Sequence, residues 1–109
     1  MTQKFDYPQA RVASGSGAVS AAVLVGAPLS TQKIVVHQIY VSTDFAVEVT
    51  FDDTTVGEIW SQFVAASGGS VVPASGTPWF ECTAGEALTY SHGSGGASVV
   101  AVNYEIVNV

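Results

Sequence analysis

This sequence has almost no basic residues. Lys4, Arg11 and Lys33 stand against nine acidic residues, for a net charge of −6, and no Lys or Arg follows Lys33. Nucleic-acid binding depends on Lys and Arg that neutralise phosphates and release counterions. With no basic patch to do so, nucleic acid and anionic membrane surfaces are not expected partners. Charge of either sign is sparse, at 11% of residues against about 25% in an average soluble domain. Such a chain covers its surface with Ser, Thr, Gly and Gln, or hides part of it against a partner. Cysteine is nearly absent too. Cys82 alone excludes an internal disulfide and any CxxC metal motif, and is expected as a small buried apolar side chain.

Long hydrophobic runs are missing as well. Residues 12–32 and 59–80 carry no charge, but Ser and Gly stud both, and Pro28, Pro73 and Pro78 interrupt them. Neither offers the roughly 20 consecutive apolar residues of a spanning helix. Asp6 and the Ser14-Gly15-Ser16-Gly17 repeat also make the N-terminus a poor secretory leader, so synthesis in the cytoplasm is expected. Leu and Met, strong helix formers, number four in all (Met1, Leu24, Leu29, Leu88).

What is there is alternation. The 109 residues suffice for one domain. Residues 1–17 have no apolar period and end in the Ser-Gly repeat, so they are expected as a flexible N-terminal arm with Phe5 and Tyr7 as its large apolar groups. Residues 18–109 are expected as the folded domain. Strand-length runs follow at 18–25, 33–43, 45–52, 56–65, 71–73, 77–83, 86–91 and 98–107, separated by turn residues. The run at 56–65 could instead hold a short helix over Glu58–Phe63. Ser67-Gly68-Gly69-Ser70 reads as a loop. Pro73 confines its short strand to an edge or an end. Asp52-Asp53-Thr54-Thr55 and His92-Gly93-Ser94-Gly95-Gly96 read as turns. About eight strands at this spacing predict an all-β single domain, built as a sandwich or a barrel.

Catalytic signatures are missing. Gly15-Ser16-Gly17 and Gly93-Ser94-Gly95-Gly96 lack the GxSxG spacing and the following helix of a nucleophile elbow. The second lacks the Lys of a phosphate loop. His37 and His92 are far apart in sequence, with no Cys or carboxylate at metal-ligand spacing. The densest acids, Asp44, Glu48, Asp52 and Asp53, are expected as solvated carboxylates, with a loose calcium site as the alternative. No pair among the nine acids is marked out for glycoside hydrolysis. Trp60, Trp79 and Phe80 read as core or interface aromatics, or as a sugar-stacking platform. Neither a cofactor nor a metal is expected, and the chain does not read as an enzyme.

Lys33-Ile34-Val35-Val36-His37-Gln38-Ile39, Val47-Glu48-Val49-Thr50-Phe51, Val72-Pro73, Pro78-Trp79-Phe80, Gly85-Glu86-Ala87-Leu88 and Val102-Asn103-Tyr104-Glu105-Ile106 together form a further pattern. It resembles the small jelly-roll virion proteins of tailed bacteriophages, especially capsid decoration (cement) proteins, over about two thirds of the chain. The resemblance implies a single-domain, jelly-roll-like antiparallel β-sandwich that serves as a virion structural protein on the capsid surface, made in the host cytoplasm. Its implied partners are the major capsid protein and copies of itself, as a homotrimer or homodimer. It brings no catalytic residues. Candidate interface residues are Lys4, Phe5, Tyr7 and Arg11 in the arm and Trp79 and Phe80 in the domain. A carbohydrate-binding sandwich or a head or tail fibre module is the alternative reading.

Overall fold

A computed structural model describes residues 7–15, 17–93 and 96–109. They form nine strands: β1 (Gln9–Ser14), β2 (Val19–Val25), β3 (Gln32–Thr43), β4 (Val47–Asp53), β5 (Gly57–Val64), β6 (Gly68–Val72), β7 (Phe80–Glu81), β8 (Leu88–His92) and β9 (Ser98–Asn108). No helix occurs among the described residues. The front sheet runs β1-β9-β3-β6, with β7 also paired to β3, and the back sheet runs β2-β8-β4-β5. Every pairing is antiparallel. The chain alternates between sheets except at the β4–β5 hairpin and the added β7. This is the strand order of a jelly roll, as the resemblance implies; the alternation alone left a sandwich or a barrel open.

Alternation drives each sheet to bury one face. Ile39, Val41, Val100 and Val102 of the front sheet meet Val49, Phe51, Leu88 and Tyr90 of the back sheet, all essentially inaccessible to water. Trp60 closes this core at one end by stacking on Phe80, with ring centroids 5.5 Å apart.

Three elements differ from the sequence expectation. First, the expected arm is partly a strand. Residues 9–14 pair with β9 from Gln9↔Asn103 to Ser14↔Ser98, and Ala10 and Val12 pack on the core. Their small side chains give no strong apolar period, yet β9 offers an open ladder that β1 satisfies. The rest of the arm, residues 1–6 with Lys4 and Phe5, lies outside the described residues. Second, Gly68–Ser70, expected as loop, belongs to β6, because Val41, Ser42 and Thr43 of β3 supply partners for it. Third, residues 77–83 contribute only the two-residue β7. Residues 57–64 are a strand, not a helix.

One irregularity sets the faces. β3 carries an extra residue, His37, between Val36↔Tyr104 and Gln38↔Asn103. Such a bulge reverses the alternation. Ile34 and Val36 face the core before it, and Ile39 and Val41 after it. Val35, His37, Gln38, Tyr40 and Ser42 are left to the outer side.

Deleting residues 2–13 removes nearly all of β1, strips β9 of its partner and bares the core beside Val12. We expect the truncated chain to lose its cooperative melting transition or to melt many degrees lower. An unchanged transition would show β1 to be dispensable. Phe51→Ala, at a fully buried ring, is expected to cost about 3–5 kcal/mol in denaturant titration.

Candidate functional site

The two sheets present outer faces of opposite character. On the front face, residues that alternate with the core positions form cross-strand rows. Arg11 pairs with Ala101, Ala101 with Tyr40, and Tyr40 with Val71; beside them Ala13, Val99, Ser42 and Gly69 follow the same order. Tyr40 is 40% exposed and Val71 53%. A shallow recess over Ala101 is lined by Gln9, Arg11 and Tyr40. Arg11 carries the one charge in these rows and makes no ion pair among the described residues. Farther along β3, Lys33 pairs with Glu81 at 2.8 Å, and His37 is hydrogen-bonded to Glu105 at 3.1 Å.

The back face is acidic. Glu48 lies across from Phe63, and Asp52 from Glu58. Its four strands contain no Lys or Arg. Like charges directly across a ladder repel, so the Asp52–Glu58 pair is held at some cost. Phe63, on the edge strand β5, is 78% exposed. Sequence reasoning passed over Phe63, although its place opposite Glu48, out of phase with Gln62 and Val64, marks it as outward once β5 is taken as a strand.

The expected interface residues divide. Arg11 is on the front face. Tyr7 is packed on its own domain, its ring parallel to that of His37 with centroids 3.9 Å apart, and its carbonyl accepts the Asn103 amide. His37 is buried, and the Glu105 carboxylate accepts at Nε2, which places the proton there; Nδ1 has no partner. Trp79 is 39% exposed, its ring fixed by an Nε1–H bond to the Pro73 carbonyl at 2.9 Å. Trp60 lies 6.3 Å from it, centroid to centroid. Phe80, by contrast, is buried in the core under Trp60. It is no surface aromatic, because the short β7 turns it inward against Phe51.

Two polar groups could suggest chemistry. The Ser98 hydroxyl donates to His92 Nε2 at 2.9 Å, and His92 Nδ1 donates to the Gly93 carbonyl at 2.8 Å. A nucleophile and its base share that geometry. Ser98 is only 2% exposed, however, and the pair satisfies polar groups inside the sandwich. Cys82 is buried as expected, and burial, with the charges of Asp53 and Glu86 adding, pushes its thiol up to about 12. No three His, Cys, Asp or Glu residues gather to hold a metal among the described residues.

Asp53 departs from the expected solvated carboxylate. It is buried, and accepts N–H bonds from Thr55 and Val56 on Oδ1 and from Thr83 on Oδ2, at 2.7–2.9 Å. It thereby ties the β4–β5 turn, where Gly57 takes φ +88°, to the segment after β7. Burial alone would raise its pKa, but these donors outweigh it and hold the carboxyl below its ordinary value of 3.8.

No family model matches the chain, and no curated protein does. Among solved structures, the insecticidal delta-endotoxin Cry8Ea1 of Bacillus thuringiensis is similar at 17% identity and a TM-score of 0.45, over 91% of this chain and 19% of that one. The chain thus spans about a fifth of that toxin. The virus-like particle of the extra small virus of the giant freshwater prawn Macrobrachium rosenbergii matches at 8% identity and a TM-score of 0.39, over 96% and 82% of the two chains. PirA matches at 6% and 0.37, over 96% and 99%. Jelly rolls serve many functions, and none of these likenesses decides what this chain does.

The buried carboxylate gives a pH dependence. A depressed pKa contributes stability that is complete above the unfolded value and is lost as pH falls through the folded one. We expect denaturation midpoints to fall below about pH 4 in the native chain. Asp53→Asn should be roughly 1–3 kcal/mol less stable at pH 7 and lose less on acidification. Parallel titration curves for the two proteins would contradict this role.

Proposed function

We propose that the chain is a non-enzymatic structural protein of a bacteriophage virion, a capsid decoration protein that binds the outside of the major capsid shell and stabilises it. The observation that carries this reading is the slab itself. Its Cα extents are 38 × 37 × 18 Å, and among the described residues both broad sides are sheet faces with little packed over them. A protein that works by covering a neighbour needs broad, rigid sides of this kind, and it needs no cleft. The resemblance of the strand and turn residues at 33–107 to cement proteins points the same way.

The two faces suit different neighbours. Phe63, opposite Glu48 on the ladder, would enter an apolar recess on the shell, and Lys or Arg around that recess would meet the acidic face. The neutral front face suits copies of the chain itself. Synthesis in the host cytoplasm and assembly onto the capsid surface follow from this reading; nucleic acid and membrane do not enter it.

A carbohydrate-binding role, as on a fibre module, rests on one observation, the fixed and partly exposed Trp79 ring beside Trp60. Trp79→Ala should leave capsid attachment intact under the decoration reading and abolish glycan binding under the other.

Purified particles decide the matter. We expect the protein to sediment with intact capsids in many copies and to raise the temperature at which they open. Phe63→Ser should weaken attachment tenfold or more, since burying a Phe contributes about 1.5–3 kcal/mol, with the melting temperature of the free domain unchanged. Capsids that carry none of the protein and gain no stability from it would overturn the reading.

A further inference from the structure

We propose that the outer face of the front sheet is the surface on which a second copy of this chain docks, face to face about a two-fold axis lying along the strands between β9 and β3. This deepens the self-association in the proposed function and rests on that part of it alone.

Charge selects the face. Two copies each carrying −6 meet most easily where neither presents excess acid. The back face presents Glu48, Asp52 and Glu58 with no base among its strands, so two back faces would oppose like charges. Among the described residues the front face carries few charges: Lys33 pairs with Glu81, Glu105 accepts a hydrogen bond from His37, and Arg11 makes no ion pair. Edge-to-edge pairing is less suited. The edge strand β2 is broken by two register shifts, with Ala21 at φ 49° inside the first, and bulges of this kind blunt an edge.

Shape selects the mode. The row Arg11–Ala101–Tyr40–Val71 alternates large and small across four strands. Rotation about the proposed axis sets it against its own reverse. Each Tyr40 ring then enters the partner's recess over Ala101, walled by Gln9 and Arg11, and each Arg11 meets the partner's Val71. There the guanidinium lies beside the incoming ring, a favourable cation–π arrangement. In the next row Ala13 meets Gly69 and Val99 meets Ser42, all small enough for close approach. The two Arg11 groups stay three strand spacings apart, about 14 Å or more, beyond the screening length of about 8–10 Å. A standard interface takes about 800 Å² from each partner, and a side of 38 × 37 Å accommodates that.

The test is sedimentation velocity of the full chain without capsids, over a concentration series. We expect the native protein to be a dimer, or an assembly built from it. Tyr40→Glu should be monomeric with its far-ultraviolet spectrum unchanged, and Phe63→Ser should associate as the native chain does. Val71 supplies a test of sign that does not depend on the Tyr40 variant folding. Val71→Lys sets a cation against the partner's Arg11 and should weaken association at least tenfold; Val71→Glu should preserve or tighten it. A native protein monomeric at 100 µM (roughly the upper range of such measurements), or association lost in Phe63→Ser and kept in Tyr40→Glu, would overturn the proposal, as would the reverse order of the Val71 variants. A dimer that ignores capsids sinks the decoration reading alone, and a monomer that coats them sinks this one alone.

Discussion

The β3–β9 ladder is the constraint on which everything else in this molecule depends. It joins residues from Gln32↔Asn108 to Thr43↔Ser98, so two strands far apart in sequence form the centre of the front sheet. β1 can add only to the far side of β9, and β6 and β7 only to the free side of β3. The extra residue at His37 then decides which side chains point where. Without it, Ile39 and Val41 would face water and Gln38, Tyr40 and Ser42 would face the core, because a one-residue slip exchanges the two sides of a strand. The neutral outer face and the apolar interior follow from that single insertion.

The bulge also explains the local chemistry. His37, as the extra residue, has an imidazole on the outer side with one nitrogen bonded to Glu105 and the other without a partner. Tyr7 lies flat over it, and the Pro8 carbonyl accepts the Tyr104 N–H. The segment before β1 thus covers the irregular part of the ladder, which ties it to its own sheet. On the opposite side, buried Asp53 performs a similar office by accepting two N–H groups of the β4–β5 turn and the Thr83 N–H after β7, which satisfies its own buried carboxylate. Buried polar groups here hold turns and bulges in place.

Much of this was legible in the residues. β4 reads directly from Phe45, Val47, Val49 and Phe51, and β9 from Val100, Val102 and Tyr104, since alternation records a half-buried strand. The bulge is written in the same code: apolar positions shift from Ile34 and Val36 to Ile39 and Val41 within one run. β1 was hidden because Gln9–Ser14 has only Val12 as a large apolar residue, and its pairing is supplied by β9 rather than by its own pattern. Phe80 could not be separated from Trp79 by composition, since adjacent aromatics on a strand go to opposite sides and only the pairing says which goes in. The burial of Asp53 likewise depends on Thr83, distant in sequence. Arg11 stood out as one of three cations, but its place beside Tyr40 required the sheet.

The most direct measurement removes the insertion itself. A chain lacking His37 keeps every other residue and every turn, but its β3 can match β9 on only one side of the former bulge; the other half must turn its apolar residues outward. Guanidinium unfolding of that chain, followed by tryptophan fluorescence, should show no cooperative transition, or one with a midpoint far below that of the full chain. A deletion protein that unfolds at the native midpoint with the native slope would contradict the claim that this bulge sets the fold and its faces.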